Sequence, residues 1–96
     1  MEFDWDNDKN QKNRRKHGFD FHDAQEIFAD YYLEKLDKRY DYGEDRWIAL
    51  GRVHGVICVL VYTERNAKLR PISLRKATAT EQVAYEKACY ERLEKN

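Results

Sequence analysis

The chain predicts an α+β domain, an antiparallel β-sheet with two N-terminal helices and one C-terminal helix in the order β-α-α-β-β-β-β-α. Three features lead there. Residues 56–63, VICVLVYT, are apolar and β-branched without alternation, the composition of a central strand covered on both sides. Polar turn segments flank this run at the spacing of antiparallel neighbours. Helix start and stop signals fall towards the two ends of the chain, giving an order of strand, two helices, antiparallel strands and helix, with the helices packed on one sheet.

Taken in order, Glu2-Phe3-Asp4-Trp5 alternates acidic and aromatic residues and predicts a short strand. Asp6 is placed to cap a helix over residues 7–17 whose last turn is basic and which Gly18 stops, so both ends complement the helix dipole. No large apolar side chain falls between Asp6 and Lys16. The expectation is a helix held by its ends and used for its surface. Asp20, with Asp23 three residues on, caps a second helix in which Phe21, Ala24, Ile27 and Phe28 share a face and dock on the core.

Residues 31–36 predict a strand, and residues 37–45 a polar loop bearing an exposed aromatic pair, Tyr40 and Tyr42. Residues 46–53 return to strand with Ile48 and Leu50 on one face, and Gly55 marks the hairpin into the central strand. After the turn at residues 64–67, residues 68–75 form the next strand. Pro71 has no N–H to give to a ladder there, which predicts an edge position or a bulge. Thr78 and Glu81 have capping-box spacing, and in the helix they open Tyr85, Cys89 and Leu93 recur every four residues beside Ala84 and Ala88.

Ninety-six residues, 42% of them hydrophobic, suit one domain over 1–96 that folds without metal or disulfide support. Eighteen basic and eighteen acidic residues cancel, so any attraction to nucleic acid must be local. The charges do separate. Residues 1–8 are acidic, residues 9–17 hold Lys9, Lys12, Arg14, Arg15, Lys16 and His17 with no acid, residues 18–30 are acidic again, and residues 65–76 are basic. Such runs form either solvated faces or binding surfaces. Cys58 and Cys89 stand alone in apolar runs and predict buried, reduced thiols. The charged start and the short apolar run at 56–62 predict a soluble, cytoplasmic protein with no membrane partner.

On the first helix, Lys9, Asn13, Lys16 and His17 project from one side and offer two cations, an amide and a group that titrates near neutrality. A phosphodiester site needs charge for the phosphate and a proton carrier for an oxygen. A solvent-facing helix end with a histidine favouring the dipole has the same composition. Arg70 and Arg75 present planar forks suited to phosphate. Strict alternation puts them on opposite faces, and they converge only if Pro71 introduces a bulge or the strand ends before Arg75. Edge arginines also block aggregation. Glu44 or Asp45 beside Arg46 supplies a general base or a simple ion pair. His22 and His54 lack partners at ligand spacing, so no metal is expected, and no phosphate loop or nucleophile motif points to a cofactor. No helix-turn-helix or ribbon motif for DNA is legible.

The segments WDNDKNQKNRRKHGFDFHDAQEIF, GEDRWIALG and VLVYTERNAKLRPISLRKAT, followed by a tyrosine-bearing helix, resemble the BrnT toxins of bacterial type II toxin-antitoxin systems. W-D-x-x-K-N, K-H-G, G-E-x-R, Y-T-x-R and R-x-I-S-x-R recur in order. The resemblance implies a RelE-like fold, metal-independent endoribonuclease activity that halts translation, and a BrnA-type antitoxin that neutralises the toxin and is the component that reads DNA. Carried to matching positions, it implies Arg70 and Arg75 as phosphate and transition-state binders, His17 as proton carrier with Glu44 as a second, and Lys9 and Lys16 as RNA-positioning cations. Arg46, Tyr62, Arg65 and Ser73 complete the matching set. Pro71 and Leu74 depart from the aliphatic and small residues usual at those places, which alters the geometry between the two arginines. The competing expectation is a non-catalytic module whose basic surface receives an acidic or amphipathic partner segment.

Overall fold

A computed structural model describes residues 1–94. Its elements are α1 (Asn7–His17), a 3-10 helix (Phe21–Ala24) continuing into α2 (Gln25–Phe28), β1 (Leu33–Leu36), β2 (Trp47–Val53), β3 (Val56–Arg65), β4 (Lys68–Lys76) and α3 (Ala79–Glu94). The strands form one antiparallel sheet in sequence order, which is the expected α+β arrangement. β3 lies inside the sheet, and its alternation serves two cores. Cys58, Leu60 and Tyr62 pack with Phe21, Ala24 and Ile27, while Ile57 and Val59 pack with Ala77 and Tyr85 of the α3 side. Burial pushes the Cys58 thiol up to about 11, the inert buried cysteine the sequence predicts.

Gly51 lets the first layer close. A Cβ there would lie 2.7 Å from Ile27 Cγ2 and 3.3 Å from Ile27 Cα, so α2 rests directly on the β2 backbone. At the β2–β3 hairpin His54 and Gly55 both take positive φ, 51° and 77°, the conformation whose twist matches the flanking strands.

The N-terminal strand is reduced to one parallel bridge between Phe3 and Leu69, with Asp4 N–H on the Leu69 carbonyl and Leu69 N–H on the Glu2 carbonyl. The next donor of such a ladder would be residue 71. Because Pro71 has no N–H, the pairing stops and the chain turns into α1. Pro71 also marks the expected bulge. Tyr62 pairs with Pro71 and Val61 with Ser73, leaving Ile72 without a partner.

The caps of α1 are as expected. Asp6 accepts from Asp8 N–H, and Gly18, at φ 78°, donates to the Arg14 carbonyl. The expectation that the helix is held by its ends alone is corrected by two buried amides. Asn13 Nδ2 donates to the carbonyls of Phe19 and Leu74, both at 2.9 Å, and its Oδ1 accepts from Leu74 N–H at 3.0 Å. One side chain thus does for the outer edge of β4 what a neighbouring strand would do. Asn10 accepts from Phe21 N–H at 2.8 Å and donates to Asp20 at 2.9 Å. Hydrogen bonding replaces the missing apolar face.

α3 opens on the expected capping box, with Glu81 N–H on Thr78 Oγ1 and Thr78 N–H on Glu81 Oε1. Tyr85 is buried and donates to the Tyr31 carbonyl at 2.8 Å. Among the described residues no helix is long and apolar enough to cross a membrane.

Candidate active site

The bulge at Ile72 decides where the β4 side chains point. Cross-strand register sets Leu33, Leu50, Val59 and Arg75 in one row across the sheet and Lys35, Ile48, Val61 and Ser73 in the next, both on the face that α3 covers. Thr63 and Arg70 form part of a third row, and Arg46, two residues before Ile48, follows the same parity. The extra residue therefore brings Arg70, Ser73 and Arg75 to one face, the outcome that strict alternation forbids. α3 covers this face only in part and leaves a cleft of about 380 Å³, floored by Leu50, Val59 and Val61 and rimmed by Arg39, Arg75 and Glu81.

Arg75 is aimed by the first turn of α3. Its Nη1 and Nη2 meet the two Glu81 oxygens at 2.8 and 2.9 Å, while the capping box fixes Glu81 in turn. The pair holds the Glu81 carboxyl down at about 2 and raises Arg75, chiefly through this bidentate hydrogen bond. The end of α1 approaches the same place from over the edge of β4. Partial burial first, then the charges of Lys16 and Arg75, hold His17 below the ordinary histidine value. At neutral pH its imidazole is therefore free to accept a proton beside two cations.

The remaining predicted residues lie elsewhere. Arg70 Nη1 binds Asp4 at 3.0 Å. Glu44 lies 3.7 Å from Arg46 and 3.1 Å from Arg65, beyond the start of β2. On β3 the Arg70 row and the Arg75 row are four residues apart, or about 13 Å of strand. The candidates thus form two groups on one surface, Lys16, His17 and Arg75 at one end and Glu44, Arg46, Arg65 and Arg70 at the other. The two candidate proton carriers fall in different groups, His17 beside Lys16 and Arg75 and Glu44 beside Arg46 and Arg65. Ser73 lies between the groups, half-buried, and Lys9 is exposed on α1. Tyr62 faces the opposite core, with its ring buried and its hydroxyl on Glu34. Asn13, expected on the working face of α1, is consumed by Leu74 and Phe19.

A model of the family described as ribonuclease toxin, BrnT, of type II toxin-antitoxin system matches residues 5–81. The chain belongs to the BrnT family. No curated protein matches it. The BrnT match takes in every site residue named above and ends in the first turn of α3, so it includes Glu81, which sequence reasoning read only as a cap. Arg39 was also missed. It belongs to a loop with no periodicity, yet its charge bears on Arg75.

One group of this BrnT chain has ligand-like geometry outside the cleft. Asp23, Glu26 and His54 bring ligand atoms within 4.8 Å of one another. His54 Nε2 lies 3.1 Å from Asp23 and Nδ1 3.4 Å from Glu26, so the two nitrogens face different carboxylates and a protonated imidazole is itself the cation of the cluster. The hydrogen bond to Asp23, then the charge of Glu26, raises the His54 pKa. A raised folded value contributes stability that is fully present below the unfolded value of about 6.5 and is lost as pH rises through the folded value. Thermal melts of wild type should therefore fall in midpoint as pH rises through this window more than those of His54→Gln. Parallel curves would show that the imidazolium contributes nothing.

Proposed function

We propose that this BrnT-family chain is an endoribonuclease that needs no metal, acting where Lys16, His17 and Arg75 meet at the edge of the α3 cleft. The 2′-hydroxyl of RNA attacks its own phosphate and gives its proton to His17. The O–P bond to the 5′-oxygen breaks, and that oxygen takes a proton from water in the open cleft. Arg75 and Lys16 stabilise the charge that builds on the phosphate oxygens. Arg46, Arg65, Arg70 and Ser73, further along the same surface, take neighbouring phosphates of the strand, and Lys9 extends the basic edge along α1. Glu44 orients Arg46 and Arg65 in this reading, and Tyr62 supports the sheet.

Cleavage in the cytoplasm halts translation, and a BrnA-type antitoxin neutralises the toxin by covering this surface and provides the only contact with DNA. What supports the proposal is the BrnT match together with the cleft that Arg75 rims, beside which His17 is held below the ordinary histidine value by partial burial and by the charges of Lys16 and Arg75. The test is digestion of single-stranded RNA in EDTA. Cleavage should proceed at full rate, and activity that disappears in EDTA and returns with divalent ions would overturn the metal-free reading.

One observation favours the second reading, a module that binds a partner without cutting RNA. Both β4 arginines are engaged by carboxylates, Arg70 by Asp4 and Arg75 by Glu81, as acidic partner segments would engage them. Purified protein that captures its antitoxin but leaves RNA intact in EDTA and with divalent ions would establish it.

A further inference from the structure

The loop between β1 and β2 is polar in sequence, yet it is tied down from within. The Asp37 side chain, fully buried, accepts from Arg39 Nε and Nη2 at 2.9 Å each, from Arg39 N–H at 3.1 Å and from the Tyr42 hydroxyl at 3.0 Å. Asp37 N–H reaches across to the Arg46 carbonyl at 2.7 Å, closing the loop at its base. Arg46 lays its guanidinium 4.0 Å over the Tyr42 ring, and Tyr40 meets Tyr42 edge-on with centroids 5.8 Å apart. This scaffold holds out one large aromatic ring, Tyr40, 69% exposed at the rim of an open depression of about 390 Å³. A tyrosine so exposed, in contact only with Tyr42 among the aromatic rings, buries little for the fold.

We propose that the loop of residues 37–46 is a stacking platform for a nucleobase of single-stranded RNA, with Tyr40 as the stacking ring. The proposal rests on the ribonuclease reading. Its basis is contiguity: Arg39 lines both this depression and the α3 cleft, and its charge acts on Arg75, so a strand whose phosphate lies at Arg75 passes Arg39 on its way to Tyr40. Charge also selects the ligand group. Lys38, Arg39 and Arg46 stand against Asp37, Asp41, Glu44 and Asp45, so the loop carries one net negative charge and offers an aromatic face more than a field for phosphate. Unstacked bases of single-stranded RNA are bound on such faces, and because the loop is already ordered little entropy is lost in using it.

The test uses a labelled 2′-O-methyl oligoribonucleotide, which lacks the attacking hydroxyl and is not cut, and a second chain with the same sugar and phosphate but no bases. Tyr40→Ala should weaken binding of the first about five- to hundredfold, Tyr40→Phe should bind like wild type, and the abasic chain should not distinguish the three proteins. Tyr40→Ala that binds the base-bearing chain like wild type overturns the platform, as does equal weakening on both chains, which would mean a backbone contact. Loss of antitoxin capture with unchanged oligonucleotide binding also overturns it and makes the loop a protein-docking surface. Wild type that neither cuts RNA nor binds the oligonucleotide sinks the ribonuclease reading and the platform together, whereas wild type that cuts RNA while Tyr40→Ala binds unchanged sinks the platform alone. Equal melting temperatures for the variants exclude misfolding as the cause.

Discussion

His17→Ala is expected to slow RNA cleavage about 10²–10⁴-fold, the range for loss of a positioned proton carrier, with a melting temperature close to that of wild type. Among the described residues no hydrogen bond holds the His17 imidazole, so its removal leaves no partner stranded. The pH profile separates a proton carrier from a bystander. A general base works when deprotonated, so cleavage should rise with pH through an acid limb whose midpoint lies below the ordinary histidine value of about 6.5. Lys16 lowers that midpoint by repelling the imidazolium. Lys16→Gln should consequently move the limb to higher pH, even as it lowers the plateau. An acid limb that stays in place in Lys16→Gln, or that survives in His17→Ala, means that a group other than His17 titrates.

Arginine 75 needs a gentler substitution than alanine. Removing its guanidinium strands Glu81, whose carboxylate also serves the α3 cap, so Arg75→Ala mixes lost chemistry with a loosened helix. Arg75→Lys keeps a cation on β4 and gives up the two-point grip. The same coupling explains why this part of the site was hard to read from sequence. Thr78 and Glu81 announce a capping box within four residues of chain, and nothing in that local pattern says that the glutamate also binds a strand arginine through both oxygens.

Local signals were legible wherever the chain's own neighbours decide the outcome. The caps of α1, the bulge at Pro71 and the doubly covered β3 each follow from residue types in sequence. Tyr62 was within reach too: it shares parity with Cys58 and Leu60 on β3, which points it at the core, but its place in a Y-T-x-R motif drew attention to chemistry instead. What remained hidden was contact across the fold. Asp23, Glu26 and His54 come from the 3-10 helix, α2 and a hairpin that meet only when the sheet packs. The two-part division of the candidate site likewise depends on where α1 crosses the sheet edge, and that is set by two asparagines with no periodic signature.

Asn13→Ala is the strongest expected lesion of stability. Alanine strands Leu74 N–H, Leu74 C=O and Phe19 C=O at a buried edge, and each unsatisfied group costs about 1–3 kcal/mol. A total of roughly 3–5 kcal/mol would take a large part of the 5–15 kcal/mol typical of a folded domain. Neither obvious replacement restores the contact. Asn13→Leu fills the space without making a bond, and Asn13→Asp accepts from Leu74 N–H but sets a carboxylate against two carbonyl oxygens. All three should lower the urea midpoint with an unchanged slope, while Arg15→Ala, on the exposed side of the same helix, should stay within about 0.5 kcal/mol of wild type. A second readout links docking to function. Under conditions where Asn13→Ala is still folded, cleavage should fall further than the folded fraction does, because an undocked α1 no longer holds Lys16 and His17 beside Arg75. A variant as stable and as active as wild type would show that the caps alone seat the helix, and the placement of His17 would then need another cause.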